Sequence, residues 1–225
     1  MIEHAFFNPV NRSYFQFPQC KVVIVEAKWG SLRFAQQRIR ALNLTNTTLC
    51  LTHLKGFIGT FDIGVSLHAC GSLTDMIIAK CVTSNAAVVS SPCCYGKIQP
   101  SSWLSYPQSE HFRSVVSLDC FIKIAKMADC EYDNEDPMCA VDVDRSRYLE
   151  DVGYRHVVLH KLKPLTCSPK NNLIVATRWC FCFGFKNGLS GLILNYFMQI
   201  ELRFKTNIWW KLIESLYNNQ LFLFL

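Results

Sequence analysis

Residues 61–71 read FDIGVSLHACG and residues 86–96 read AAVVSSPCCYG, and these two stretches decide the fold. Each is an apolar run that ends abruptly in small, polar and thiol residues, and residues 72–85 between them suit a helix. Buried parallel strands have this pattern, and open α/β sheets bind ligands just beyond the carboxyl ends of their strands. The pattern therefore predicts a strand, a helix and a strand, with one cleft at the two strand ends. Five residues would line that cleft: His68, Cys70, Cys93, Cys94 and Tyr95.

The residues before this unit extend the same pattern. Residues 21–25 are mainly β-branched and predict a buried strand that ends at Glu26, and residues 47–52 predict another strand. Between them, residues 31–44 have apolar side chains at helical spacing, with Ser31 as the predicted N-cap. This alternation predicts an α/β fold with a mostly parallel sheet, right-handed crossovers and helices on both faces.

The residues after the unit predict two further helices and a hairpin. One helix is predicted for residues 110–130 and another for residues 138–151, which Gly153 can end. Residues 154–162 and 173–177 then predict two strands joined by turn-forming residues. A closing β hairpin after alternating strands and helices is a distinctive arrangement.

The two ends of the chain differ from this region. Residues 1–19 contain two proline turn signals and no clear period, so they are predicted to be an irregular segment. Residues 179–225 are an apolar extension without an assigned role, and their longest uncharged part, residues 187–200, is too short to span a bilayer comfortably. The predicted organisation is the segment 1–19, a domain over residues 20–178 and the extension 179–225, with no membrane span.

The amino-acid composition indicates a cellular compartment but does not identify a binding partner. The formal net charge is +6, and the basic residues are scattered along the chain, so a nucleic-acid partner is allowed but not indicated. The 12 cysteines include no pair at Cys-x-x-Cys spacing, and residues 1–20 lack the pattern of a signal peptide. Free thiols in a reducing compartment are the expectation, and hence a cytoplasmic location.

Polar residues at the predicted strand ends are candidates for binding and chemistry. Glu26 stands where a dinucleotide-type site places an acid that accepts hydrogen bonds from ribose hydroxyls, the alternative being a solvated loop acid. Gly71 permits a tight turn or the close approach of a ligand, and Asp75 suits the first turn of the following helix. His68 and Cys70 stand at functional positions by the same reasoning, the alternative being a surface imidazole and a packed thiol.

The paired cysteines allow two kinds of chemistry. A reactive thiolate at Cys93 would need a neighbour that lowers its pKa, and His68 is the candidate. Adjacent side chains on an extended chain point to opposite sides, so at most one of Cys93 and Cys94 is expected to face the cleft. A zinc site formed by His68, Cys70, Cys93 and Cys94 is conceivable in composition, but the spacing matches no standard zinc pattern and no metal is assigned.

Together these motifs resemble those of a known family. Over residues 20–177 the chain is similar to the methyltransferase-like domain of glutathione S-transferase C-terminal domain-containing proteins. The resemblance is carried by Val25-Glu26, residues 67–71 (LHACG), Thr74-Asp75, residues 92–96 (PCCYG), residues 141–145 (VDVDR) and residues 167–172 (CSPKNN). The paired-cysteine motif and the last motif are the most specific of these.

The resemblance implies a class I methyltransferase fold, a seven-stranded Rossmann-like sheet closed by a β hairpin, with S-adenosylmethionine as the cofactor. It implies that Glu26 holds the ribose hydroxyls and that Thr52 and His53 lie near the adenine. Residues 92–95 would lie on the acceptor side. The methionine and methyl-transfer side would be bordered by the turn after the third predicted strand: His68, Ala69, Cys70 and Gly71.

The beginning of the chain departs from the family pattern. The family's first strand and glycine-rich loop should precede Cys20, but residues 1–19 contain no Gly-x-Gly pattern, and the first glycine is Gly30. Because that strand is central in this fold, the expectation is a fragment, an incomplete domain whose first strand is missing. Residues 179–225 do not align with the family.

Two functions are expected from these residues. The first is an S-adenosylmethionine-dependent methyltransferase with an unidentified acceptor, such as RNA or protein. His68 would act as a base where the acceptor loses a proton, while Tyr95 and Cys93 would position the acceptor. An attacking Cys93, similar to the cysteine of RNA cytosine-5 methyltransferases, is a further branch. The alternative is a non-catalytic binding or scaffold protein that keeps the fold.

Overall fold

A seven-stranded sheet is the centre of the computed structural model, which describes residues 21–130, 135–162, 164–178 and 220–224. Its strands are β1 (Lys21–Glu26), β2 (Thr47–Leu51), β3 (Ile63–Ala69), β4 (Ala87–Pro92), β5 (His156–Lys161), β6 (Asn172–Thr177) and β7 (Gln220–Phe224). The α-helices are α1 (Trp29–Ala41), α2 (Ser72–Thr83), α3 (Glu110–Val115), α4 (Leu118–Met127) and α5 (Glu135–Asp151). The described secondary structure is therefore α/β, as the alternation of patterns predicts.

The order of the strands across the sheet is β2-β1-β7-β3-β4-β6-β5. Strands β2, β1, β7, β3 and β4 pair in parallel, and β6 runs antiparallel to both β4 and β5. The sheet is therefore mixed, with one reversed strand among those described. The predicted closing hairpin is confirmed, because β5 and β6 pair in register from His156 opposite Thr177 to Lys161 opposite Asn172.

A strand from near the other end of the chain occupies the middle of the sheet, the position where the family's first strand was expected to be missing. β7 lies between β1 and β3 and is parallel to both, so that Phe222 has Val23 as its register partner on one side and Gly64 on the other. This strand comes from residues 179–225, which had no assigned role. Without β7, the backbone N–H and C=O groups on the facing edges of β1 and β3 would lack hydrogen-bond partners. Each such group left buried and unpaired would cost about 1–3 kcal/mol of stability.

Strand β1 shows how helices cover both faces of the sheet. Its residue Val25 packs in one apolar cluster with Ile78 of α2 and Leu149 of α5, whereas the preceding Ile24 packs with Leu32 of α1. Successive side chains of a strand point to opposite faces, so α1 covers one face and α2 with α5 the other. This agrees with the predicted arrangement of helices.

Three helix boundaries differ from the sequence prediction. Helix α1 begins at Trp29, and Lys28 rather than Ser31 is its N-cap residue. The single helix predicted over residues 110–130 is two helices, because Val116 is extended and the Ser117 side chain accepts a hydrogen bond from the first turn of α4. Helix α5 starts at Glu135, three residues before its predicted start, since proline is tolerated in a first turn.

The predicted irregular segment, residues 1–19, lies outside the described residues, as does most of the extension 179–225. Among the helices that the structure describes, none combines the length and the apolar composition that crossing a bilayer requires.

Candidate functional site

The carboxyl ends of the parallel strands bring most of the predicted site residues to one edge of the sheet. β1 ends at Glu26 beside Leu51 of β2, and Ala69 of β3 is the register partner of Pro92 of β4. Because these strands run in the same direction, the segments that follow them meet at this edge. We call it the carboxyl edge, formed by residues 26, 52–53, 69–71 and 93–96.

Glu26 is half-buried at the end of β1, and one of its two carboxylate oxygens is hydrogen-bonded within the protein. Its Oε1 accepts a hydrogen bond from the backbone N–H of Lys28 at 2.7 Å, and its carbonyl oxygen accepts one from Thr52 at 3.1 Å. No described residue donates to Oε2, which leaves that oxygen available to a ligand. Thr52 is half-buried and His53 is exposed, and the Thr52 hydroxyl donates to the His53 carbonyl at 3.3 Å.

The turn from β3 into α2 requires a glycine at position 71. Gly71 has φ 57° and ψ −133°, a conformation that residues with a Cβ rarely adopt. A Cβ there would lie 2.6 Å from the carbonyl oxygen of Lys97. The Gly71 N–H donates to the carbonyl of Cys94 at 2.6 Å, so the end of β3 and the segment after β4 are held together.

Ala69 and His68 precede this turn at the end of β3. Ala69 is buried, and the register between β3 and β4 shifts between Leu67 and Ala69, where His68 lies. The backbone of His68 belongs to β3, but its side chain lies outside the described part of the structure. The predicted roles of His68 as a base and as a cofactor-side residue therefore stay predictions.

Three thiols meet at the carboxyl edge. The Sγ atom of Cys70 lies 3.2 Å from that of Cys93 and 3.1 Å from that of Cys94, and the last two are 3.5 Å apart. The prediction that only one of the paired cysteines faces the cleft is wrong. β4 ends at Pro92, so the alternation of an extended strand does not apply to the two residues that follow it.

The environment of Cys93 opposes the thiolate that nucleophilic attack would require. Its pKa is raised by partial burial first, and then by the hydrogen bonds and charge repulsion of Cys70 and Cys94. The pKa of Cys94 is raised as well, mainly by burial. The raised pKa of Cys93 favours the neutral thiol, which disfavours the covalent branch of the mechanism.

Tyr95 points into the core and not into the cleft. Its side chain is fully buried, and its hydroxyl donates to Asp142 Oδ2 at 2.7 Å. Burial and the neighbouring Asp142 carboxylate raise its pKa, so the phenol keeps its proton. The expected role in positioning an acceptor does not match this placement, because the hydroxyl is already committed to an internal partner.

The partner of Tyr95 belongs to a buried ionic network centred on Arg145 of α5. The guanidinium donates to Asp75 from Nε at 2.7 Å and from Nη2 at 3.0 Å, and to Asp142 from Nη1 at 3.0 Å. Tyr106 donates to Asp75 and Asn172 donates to Asp142. One cation therefore serves two fully buried carboxylates.

The sequence patterns did not predict this network, although they included the VDVDR motif at residues 141–145. Its signal was the i,i+3 spacing of Asp142 and Arg145 on a helix, together with Asp75 in the first turn of α2. The network supports the carboxyl edge from behind, since Arg145 Nη2 also lies 3.5 Å from the Gly71 carbonyl oxygen and Asp142 anchors Tyr95. It is a structural device and not a part of the cleft.

Asp129, just after α4, holds the segment that carries the paired cysteines. Its carboxylate accepts the backbone N–H groups of Tyr95, at 3.0 Å and 3.1 Å, and of Gly96, at 2.8 Å, and Lys170 Nζ lies 3.2 Å from Oδ1. Burial favours the neutral acid, but these donors outweigh it and lower the pKa of Asp129 below its ordinary value of 3.8. The ionised form therefore fixes the turn after β4.

Replacing Asp129 with asparagine should lower the free energy of unfolding by about 1–2 kcal/mol at neutral pH, because charge-assisted hydrogen bonds are lost. A lowered pKa stabilises the fold above the unfolded value of 3.8, and this contribution disappears as pH falls through the folded pKa. Urea denaturation at pH 7 and at pH 3 should therefore show the wild-type advantage shrinking in acid. Asp119→Asn, an exposed change on α4, is the control, and an Asp129 effect independent of pH would contradict the assignment.

Comparison with known proteins agrees with the α/β fold described above. Residues 13–101 match the family model described as a methyltransferase domain, so this part of the chain resembles methyltransferase-like domains. The chain is also similar to proteins named glutathione S-transferase C-terminal domain-containing protein. The resemblance that the sequence motifs indicated is thus confirmed.

Three relatives give the extent of this similarity. The homolog from Drosophila pseudoobscura pseudoobscura is 39% identical over 173 residues, which is 71% of this chain and 29% of the relative. The human protein is 40% identical over 167 residues, covering 70% of this chain and 26% of the relative. The Xenopus laevis protein is 36% identical over 171 residues, covering 72% and 28%. The matched part of the chain thus spans between a quarter and three tenths of these relatives.

Proposed function

We propose that this chain carries an S-adenosylmethionine-dependent methyltransferase domain of the class I, Rossmann-like type. The observation that carries the proposal is the carboxyl edge, where the ends of β1, β2, β3 and β4 converge beside the central strand β7. The strand order and the reversed β6 agree with the seven-stranded arrangement that the resemblance implies. The match of residues 13–101 to a methyltransferase domain model supports the same reading.

The residues at this edge fit the cofactor in two respects. Glu26 presents a carboxylate oxygen, Oε2, without a donor among the described residues, and a ribose diol supplies hydroxyl donors for it. Thr52 and His53 follow β2 directly beside Glu26, which suits the proposed adenine side. The turn at Gly71 would border the methyl-transfer side.

When bound, S-adenosylmethionine supplies a methyl group for in-line displacement by an acceptor atom. The chain's own contribution is then orientation and the exclusion of water. The buried Arg145 network and Asp129 hold the segments after β3 and β4 in place, which is the structural basis for such orientation. His68 is the proposed base for an acceptor that must lose a proton.

The acceptor class, RNA or protein, stays open within the proposal. The formal charge of +6 suits an anionic partner without requiring one. A cytoplasmic location is also proposed, because the chain has 12 cysteines without a Cys-x-x-Cys pair, and free thiols suit a reducing compartment.

A non-catalytic binding protein is the second candidate. Two groups expected to act on the acceptor are constrained, since Tyr95 is buried against Asp142 and the raised pKa of Cys93 disfavours nucleophilic attack. Such a domain would transfer no methyl group, whether or not its carboxyl edge binds the cofactor. Cofactor binding is therefore the first property to measure.

Calorimetric titration of the chain with S-adenosylmethionine tests the proposal. We expect binding by the wild-type chain and a loss of about tenfold in affinity for Glu26→Gln, because a hydrogen bond to a charged group is weakened. Glu150→Gln is the matched control, since Glu150 is exposed on α5 and pairs only with Arg147 among the described residues. Absence of binding by the folded chain and by a version extended upstream would contradict the proposal and favour the second candidate.

A further inference from the structure

The three thiols at the carboxyl edge form a group that methyl transfer does not explain. Cys70, Cys93 and Cys94 have their Sγ atoms within 4.8 Å of one another, and they reach this position from two different strand ends. The Sγ atoms lie 3.1–3.5 Å apart, and S–H groups are only weak hydrogen-bond donors. The arrangement is one that brings three potential ligands to a single point.

We propose that Cys70, Cys93 and Cys94 form a binding site for one thiophilic metal ion of the zinc type. Zinc is bound by cysteine sulfur at about 2.3 Å, and tetrahedral geometry then separates the sulfur atoms by about 3.8 Å. The thiols need to move apart by only about 0.3–0.7 Å to reach that separation. Each thiol gives its proton to solvent as its thiolate binds the ion.

The backbone around the three thiols is fixed without any metal. The Gly71 N–H bonds to the Cys94 carbonyl at 2.6 Å, and the glycine conformation brings Lys97 against the same turn. From the other side, Asp129 accepts the N–H groups of Tyr95 and Gly96, directly after the paired cysteines. A site held in this way loses little conformational entropy when an ion binds, which favours affinity.

The site has three protein ligands and lies partly open to solvent. Cys70 is exposed, and Cys93 and Cys94 are half-buried. Structural zinc sites close all four positions with protein ligands, whereas catalytic zinc sites keep one for water or a substrate. The described ligand set therefore leaves a fourth position for an exogenous ligand, whose pKa the ion would lower. This inference does not depend on the proposed methyltransferase activity.

Metal titration of the reduced, chelator-treated chain tests the site. Zn²⁺ is measured in competition with a chromophoric chelator, and Co²⁺ serves as a spectroscopic probe in a separate titration. We expect one equivalent of Zn²⁺ to bind tightly and the Co²⁺ form to show thiolate-to-cobalt charge-transfer absorption. Failure of the reduced wild-type chain to bind Zn²⁺ would overturn the proposal.

Serine variants locate the ion. Cys70→Ser, Cys93→Ser and Cys94→Ser should each weaken Zn²⁺ binding by about 100-fold or more, because one of three ligands is lost. Cys120→Ser and Cys139→Ser are matched controls, since these exposed thiols lie on α4 and α5. Unchanged affinity in the first three variants would place any bound zinc elsewhere and would overturn the assignment. Circular dichroism of the metal-free variants checks that each one folds.

Thiol alkylation gives an independent readout. Bound Zn²⁺ should protect Cys70, Cys93 and Cys94 from iodoacetamide, while Cys120 and Cys139 react equally with and without the ion, as mass spectrometry can quantify for each site. Equal alkylation of all five with and without Zn²⁺ would contradict the site. Titration of the same samples with S-adenosylmethionine reports on the proposed function separately, so either proposal can fail alone.

Discussion

Arg145→Met should lower the free energy of unfolding by about 3–5 kcal/mol, because removing one partner of a buried ionic group leaves the others uncompensated. Asp75 and Asp142 are fully buried, and both point their carboxylates at the guanidinium. Burial disfavours the charge on Arg145, but the two carboxylates outweigh burial and raise its pKa, so it stays charged. Methionine fills a similar volume without charge. Urea denaturation at neutral pH measures the loss.

Arg147→Met is the matched control, because Arg147 lies two residues further on α5 and pairs with Glu150 at the surface. An exposed pair of this kind contributes at most about 1 kcal/mol. If Arg145→Met leaves too little folded protein to measure, Arg145→Lys keeps the charge but not the forked donors, and should fall between the two. Equal losses for Arg145→Met and Arg147→Met would show that the network contributes no more than a surface pair.

Periodicity predicted the strands and helices well because it reports which side of each element meets the core. The runs that became β3 and β4, and the hairpin of β5 and β6, were recognisable from apolar residues and turn chemistry alone. The break between α3 and α4 was not, since it depends on one capping interaction of Ser117 that competes with helix continuation. Strand β7 was also missed, because pairing at such sequence separation has no local signal.

The candidate site was also only partly predictable from the sequence. The positions of Glu26 and Cys70 at strand ends follow from strand length, which the sequence pattern predicts. Whether a side chain at such an end faces the cleft or the core depends on the turn after the strand, which periodicity does not describe. Tyr95 turned inward because Asp142, 47 residues later, offers a buried acceptor, and Cys93 and Cys94 converged because β4 ends before them.

Phe222→Pro should destabilise the domain by at least about 3 kcal/mol, because proline in an interior strand removes a ladder hydrogen bond and leaves a buried acceptor unpaired. Phe222 is the middle residue of β7, with Val23 and Gly64 as partners on its two sides. An edge strand would tolerate the change far better, since one of its sides has no ladder to break. The prediction therefore tests whether residues 220–224 form the central strand. Urea denaturation measures the loss.

Phe222→Ala is the necessary control, because it removes the same side chain but keeps the backbone N–H. The difference between the two variants isolates the ladder, and hydrogen exchange gives its location. Proline should reduce the protection of amides in both β1 and β3, since β7 pairs with both strands, while the hairpin of β5 and β6 is affected much less. Equal stability of the two variants, with unchanged protection in β1 and β3, would mean that β7 is not the central strand. The carboxyl edge would then lack the strand that joins the Glu26 side to the thiol side.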